Sequence, residues 1–215
     1  MTLMEILVVV AVLVMLMAAG VSSFDRFSGV KLGKETNRLA AAIRYTFNRS
    51  TALGLYMRMV FDLDTETFWV EASEEPQFLA ARKLKEGEDP TEVQAAEEQA
   101  RLERLDLSDE EKAKRAPRAR FQDDPVIPRT QLEGGAQLAG IRTASQDEEF
   151  RTGKAYLHFF PSGWVEPAII YTSDGDTQFY TLELSPLTGK VKRTSGKKDA
   201  PRDFGEPEKV EAESR

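Results

Sequence analysis

The sequence predicts an α+β fold, a long N-terminal helix packed on an antiparallel β-sheet domain. Three observations predict it. Ile6 to Phe24 is a run of 19 residues without a charge, preceded by a single acid at Glu5. Apolar residues then recur at helical spacing from Leu32 to Phe47. Beyond residue 56, short strand-like runs alternate with turn clusters. At 215 residues the chain has room for one modest domain beside the apolar helix.

The first element, residues 1–24, is long enough to cross a bilayer, which takes about 20 apolar residues. An acid such as Glu5 near one end of such a helix is unfavourable in lipid, by roughly 2–3 kcal/mol at the centre and less at the interface. A cation outside the helix is therefore expected to compensate it, and a free amino terminus on a neighbouring copy is one. The helix continues to about Leu55. Leu32, Thr36, Leu39, Ile43 and Phe47 form a one-sided stripe. Lys31, Lys34, Glu35, Arg38, Arg44 and Arg49 lie largely off it, and Gly54 stands where a C-terminal cap belongs. A helix of about 50 residues is on the order of 75 Å long. Gly29 and Gly33 read as a joint first and as a helix-contact pair second.

Residues 25–193 are expected to form the α+β domain. Met57–Leu63 and Thr67–Glu71 flank Asp64-Thr65-Glu66 as a hairpin. From about Ser73 to Glu133 the chain is dense in charge, and this stretch reads as a partly helical insertion. Within it Asp89-Pro90-Thr91-Glu92 supplies an N-cap, a proline at N1 and an acid at N3, and Ser108–Glu111 repeats the capping pattern. Ala136–Thr143, Ala155–Phe160, Pro167–Thr172 and Gln178–Leu184 read as strands, with turns at Pro161-Ser162-Gly163 and Ser173–Asp176. Residues 194–215 hold few apolar side chains and read as a disordered tail.

Thr2-Leu3-Met4-Glu5-Ile6-Leu7-Val8 resembles the mature N-terminus of type IV pilins and of the pseudopilins of type II secretion. Those chains begin with an aromatic residue, then Thr-Leu-(Ile/Met)-Glu and an apolar run. Here position 1 is Met and no basic leader precedes it, and Ser22 stands where many relatives have a kinking Pro, leaving Gly20 as the weak point. Arg38–Tyr45 with Ala52-Leu53-Gly54 is similar to the helix of GspH/FimT-type minor pseudopilins. Phe160-Pro161-Ser162-Gly163 and Pro186–Val191 are similar to their later segments. The likeness covers roughly residues 1–72 and 136–193 and says nothing of the insertion.

The resemblance implies a pilin fold whose first half spans the bacterial inner membrane once, with the rest in the periplasm. It implies cleavage and N-methylation at Met1 by a prepilin peptidase, and filament assembly through Glu5. The implied function is that of a minor pseudopilin near the tip of a type II secretion pseudopilus. Its partners would be the other minor pseudopilins, the major pseudopilin, the inner-membrane assembly platform and inner-membrane lipid. A minor subunit of a true type IV pilus, in motility, adhesion or DNA uptake, is the alternative. For DNA uptake the candidate residues are Lys190, Lys192 and Arg193, at the start of a basic cluster resembling the Gly-Arg-x-Arg element of some FimT-like proteins. The net charge of −7 and the acids from Glu206 onward weigh against nucleic acid.

No enzyme is expected. His158 is the only histidine and there is no cysteine, so neither a Ser-His-Asp triad nor a multi-His or thiol metal site is readable. His158 alternates with Leu157 and Phe159 and reads as a structural strand residue. Asp174, Asp176 and Glu183 read as turn and strand residues before they read as calcium ligands, which would need six to eight oxygens. No cofactor and no metal is expected.

Overall fold

A computed structural model of the chain describes residues 3–105, 111, 121–201 and 204, with the side chains of 16–28 outside that description. Helix α1 runs from Leu3 to Leu53 and is followed by β1 (Tyr56–Asp62) and β2 (Thr67–Ser73). Helix α2 (Pro90–Glu103) comes next, then β3 (Gln122–Asp123), β4 (Thr130–Gln131), β5 (Gln137–Thr143), β6 (Lys154–Phe160) and β7 (Trp164–Val165). The last strands are β8 (Ala168–Ser173), β9 (Phe179–Leu184) and β10 (Val191–Ser195).

The strands form two antiparallel sheets. The first has the order β3-β2-β1-β6-β7, with β4 also paired to β2. The second has the order β10-β9-β8-β5. The chain changes sheet just after β7. Pro161-Ser162-Gly163 turns β6 back on β7, with Gly163 at φ +81, a value that an L side chain resists. Pro167, with no N–H to give a ladder, then follows Glu166, and β8 begins in the other sheet.

The architecture corrects two expectations. The expected pilin fold, one antiparallel sheet domain beneath a helix with a membrane-spanning first half, gives way to two antiparallel sheets. Among the described residues no helix is long and apolar enough to cross a membrane. The single-pass inner-membrane anchor with a periplasmic domain is therefore not supported.

The second half of α1 lies against both sheets, touching β1 and β6 of one and β8, β9 and β10 of the other. Leu32, Thr36, Leu39 and Ile43 are each fully buried there. Leu32, Leu39 and Ile43 join Met59 and Phe61 of β1, Leu157 of β6, Ile141 of β5, Ile170 of β8 and Leu182 of β9 in one core. Thr36 meets the interior without an orphaned hydroxyl, since its Oγ1 donates to Leu32 O at 2.7 Å and lies 2.8 Å from Thr172 Oγ1. The helix stops at Gly54, whose φ of +68 turns the chain out. Ser50 closes the end: its carbonyl accepts from Leu55 N at 3.1 Å and its Oγ donates to Leu55 O at 2.7 Å.

The charge-dense segment between β2 and β5 packs more deeply than its composition suggests. Leu84, Val93 and Leu132 belong to the main core, with Ala80 and Ile127 against it. The reason is spacing: a few apolar side chains, far apart in sequence, reach inward while the charges between them face out or pair. Asp89 caps α2 by accepting from Thr91 N at 2.8 Å, with Pro90 in the first turn. Of the second capping pattern, Ser108, Asp109 and Glu110 lie outside the described residues. The tail is tied down as far as Lys198, whose carbonyl accepts from Tyr171 Oη at 2.6 Å and whose N–H donates to Thr181 Oγ1 at 3.0 Å. Residues 205–215 lie outside the description.

Candidate functional site

Three groupings carry chemistry or contact potential: the exposed start of α1, the basic strand β10, and the polar groups buried behind the first sheet.

Every described residue from Leu3 to Met15 is exposed. Leu3 is 84% exposed, Leu7 65% and Met15 77%, although all are apolar and helical. Glu5 sits in the first turn of α1, the only charged side chain in that stretch, and is exposed. An acid there also favours the helix, because the first turn has unsatisfied N–H groups and a partial positive charge. Met1, expected as the processing and methylation site, lies outside the described residues.

The basic residues named for the DNA-uptake alternative sit, among the described residues, largely beside acids and the helix. Lys190 is exposed in the turn before β10. Lys192 faces Glu183 at 3.8 Å, and Lys198 reaches the same carboxylate at 2.9 Å. Arg193 stacks over the Tyr180 ring, its guanidinium carbon 4.7 Å from the centroid. Its Nη1 donates to Asn37 Oδ1 at 2.9 Å and to Gly33 O at 3.3 Å, which pins β10 to α1. Lys197 is taken by Glu149 at 2.8 Å. The residues are brought together, but mainly with acids and with the helix.

His158 is buried, as its strand position predicts, and its partners are more specific than the sequence revealed. Its Nδ1 lies 2.9 Å from Glu166 Oε2, and Glu166 is fully buried. Glu166 also accepts from Ser145 N at 2.8 Å and from the Ser145 hydroxyl. The Ser145 hydroxyl lies 3.1 Å from Thr143 Oγ1. Complete burial pushes the Glu166 carboxyl up. The hydrogen bond and charge of His158, with the hydroxyls of Ser145 and Thr143, outweigh it and hold the carboxyl below its ordinary value. Serine, histidine and acid are thus together, but in the wrong order for nucleophilic catalysis. The carboxylate is the hub, so no imidazole stands between hydroxyl and acid to take the serine proton.

A second polar centre is Arg58, in the middle of β1. Its Nε donates to Glu71 Oε2 at 2.6 Å, and its Nη1 to Thr91 Oγ1 at 2.6 Å and Asp89 Oδ1 at 3.3 Å. Its guanidinium carbon is 4.2 Å from the Phe121 ring centroid and 4.8 Å from that of Tyr156. Tyr156 Oη donates to Asp89 Oδ2 at 3.2 Å. Burial pushes the Tyr156 phenol well up, helped by the Asp89 charge beside it. Arg58 therefore holds the N-cap of α2 against the outer face of the first sheet. Sequence reading missed both centres. The one available signal was a charge inside an apolar strand, at Arg58.

Asp174 and Asp176, weighed against calcium, form a turn: Asp174 Oδ1 accepts from Asp176 N and Gln178 N, each at 3.1 Å. Among the described residues no group of three His, Cys, Asp or Glu is placed to hold a metal. No family model matches the chain, and no curated protein and no solved structure matches it either.

Proposed function

We propose that this chain is a structural subunit of a helical protein filament, in the manner of a minor pseudopilin of a type II secretion pseudopilus. The observation that carries the reading is the contrast within one helix. The second half of α1 is buried against two sheets, while Leu3–Met15 exposes apolar side chains around its whole circumference. Such a segment is unfavourable in water, at about 25 cal/mol per Å² of apolar surface. Bundling with the same segment of neighbouring subunits removes it. Glu5, the single acid of the segment, then sets the register, because a carboxylate inside an apolar bundle is tolerated only where it meets a cation. The resemblance at Thr2–Val8 to the mature N-terminus of pseudopilins supports this reading.

Removal of residues 1–28 tests it. The full chain is expected to associate at micromolar concentration, and the shortened chain to sediment as a monomer with an unchanged near-UV spectrum. Equal association of the two chains overturns the filament reading.

A further inference from the structure

Where α1 enters the domain, a groove of about 670 Å³ opens beside it. Gly29, Val30 and Lys34 line one side and Gln178, Tyr180 and Arg193 the other. The two glycines explain why the walls are so close. A Cβ on Gly29 would lie 2.3 Å from Gln178 Oε1, and one on Gly33 would touch Arg193 and Tyr180. The groove has an apolar lip, since Val30 is 73% exposed. It also holds two cations, Lys34 and Arg193, and among the described residues no ion pair reaches either. The same molecule carries the complement at the other end of the same helix: an exposed apolar segment, Leu3–Met15, with one acid.

We infer that this groove receives the Leu3–Met15 segment of a second copy, with Glu5 of that copy against Lys34 and Arg193. The inference rests on the filament reading and names the contact that would give a filament its stagger. Residues 5 and 34 are about 29 residues apart, so one such contact offsets neighbouring copies by roughly 40 Å along parallel helices. The apolar side chains of the incoming segment cover Val30. Its carboxylate finds two cations on the rim of the groove, and a register shifted by a turn or more takes it away from that pair.

The chain has no cysteine, so disulfide trapping is clean. Two full-length variants, Met4→Cys and Val30→Cys, are mixed and oxidised. A crosslinked pair is expected, and a mixture of Met4→Cys with Leu187→Cys, also exposed, is expected to give little. Adding Lys34→Glu to the Val30→Cys chain should lower the yield about five- to tenfold, and adding Glu5→Lys to the Met4→Cys chain should restore it. Near-UV spectra confirm that each variant is folded.

If the yield ignores Lys34→Glu, or if Val30→Cys couples to itself instead, the groove does not take this segment. The filament reading survives either result as long as loss of residues 1–28 still abolishes association. If the chain lacking residues 1–28 associates like the full chain, both readings fall together.

Discussion

Glu166 shows how much one buried side chain can carry. It is fully buried, and its oxygens take donors from the turn after β5 and from β6, the backbone and hydroxyl of Ser145 and the ring of His158. Glu166→Ala leaves those donors facing a cavity. Breaking a buried pair of this kind costs about 3–5 kcal/mol, a loss that urea denaturation measures directly. The carboxyl is held below its ordinary value of 4.5, so its contribution is fully present above that value and is lost as pH falls through the folded-state value. Between neutral pH and the acid limb, the unmodified chain should therefore lose stability more steeply than Glu166→Gln. Parallel acid melts of the two proteins would count against the buried ionised carboxylate. Nothing local in the sequence announced this centre, because Ser145, His158 and Glu166 meet only through the pairing of strands. Glu5 was legible for the opposite reason: a charge in an apolar run stands out without any partner.

Strands and helices were legible to very different depths. Short apolar runs bounded by turn clusters marked β1, β2, β6, β8 and β9 close to where they lie, and β1, β6 and β8 are buried on both faces, so it is the run rather than a period of two that the chain shows. The stripe from Leu32 to Ile43 likewise marked the buried face of α1. Which strand pairs with which was not written locally. β1 takes β6 as a neighbour across the whole charged insertion, and β8 takes β5 and β9 in a different sheet. The depth at which the insertion packs was not legible, because its apolar residues are sparse and far apart in sequence. Arg58 shows how it is held: one guanidinium clasps Glu71, the α2 cap Asp89 and Thr91 while stacked between Phe121 and Tyr156. Arg58→Ala should release α2 from the sheet and cost about 3 kcal/mol, because the acids it satisfies stay behind partly buried. Limited proteolysis should then cut between β2 and β3 faster than in the unmodified chain. An unchanged digest would show that Leu84 and Val93 hold the segment without the arginine.

At the scale of the molecule the question is whether two sheets make one domain or two. They share a single core, to which Leu39 and Ile43 of α1 belong together with residues of both sheets, and β5 also meets β6 directly. The turn before β10 adds a further tie, since Gly189 at φ +59 packs so close to the Phe47 ring that a Cβ there would lie 2.3 Å from it. A core shared in this way predicts cooperative unfolding rather than two independent steps. Leu39→Ala tests it at the point of greatest leverage. The side chain is fully buried in the core that both sheets share, and its loss should cost about 2–5 kcal/mol, according to how far the site collapses. The loss should appear equally in both sheets. Trp69 and Trp164, both in the first sheet, report it by fluorescence, and amide exchange at Ile169, Ile170 and Tyr171 reports the second. In the variant the two signals should shift to the same denaturant midpoint. If the tryptophans shift while the β8 amides keep their protection, the second sheet stands on its own. In that case α1 leans on two independently stable sheets instead of joining them.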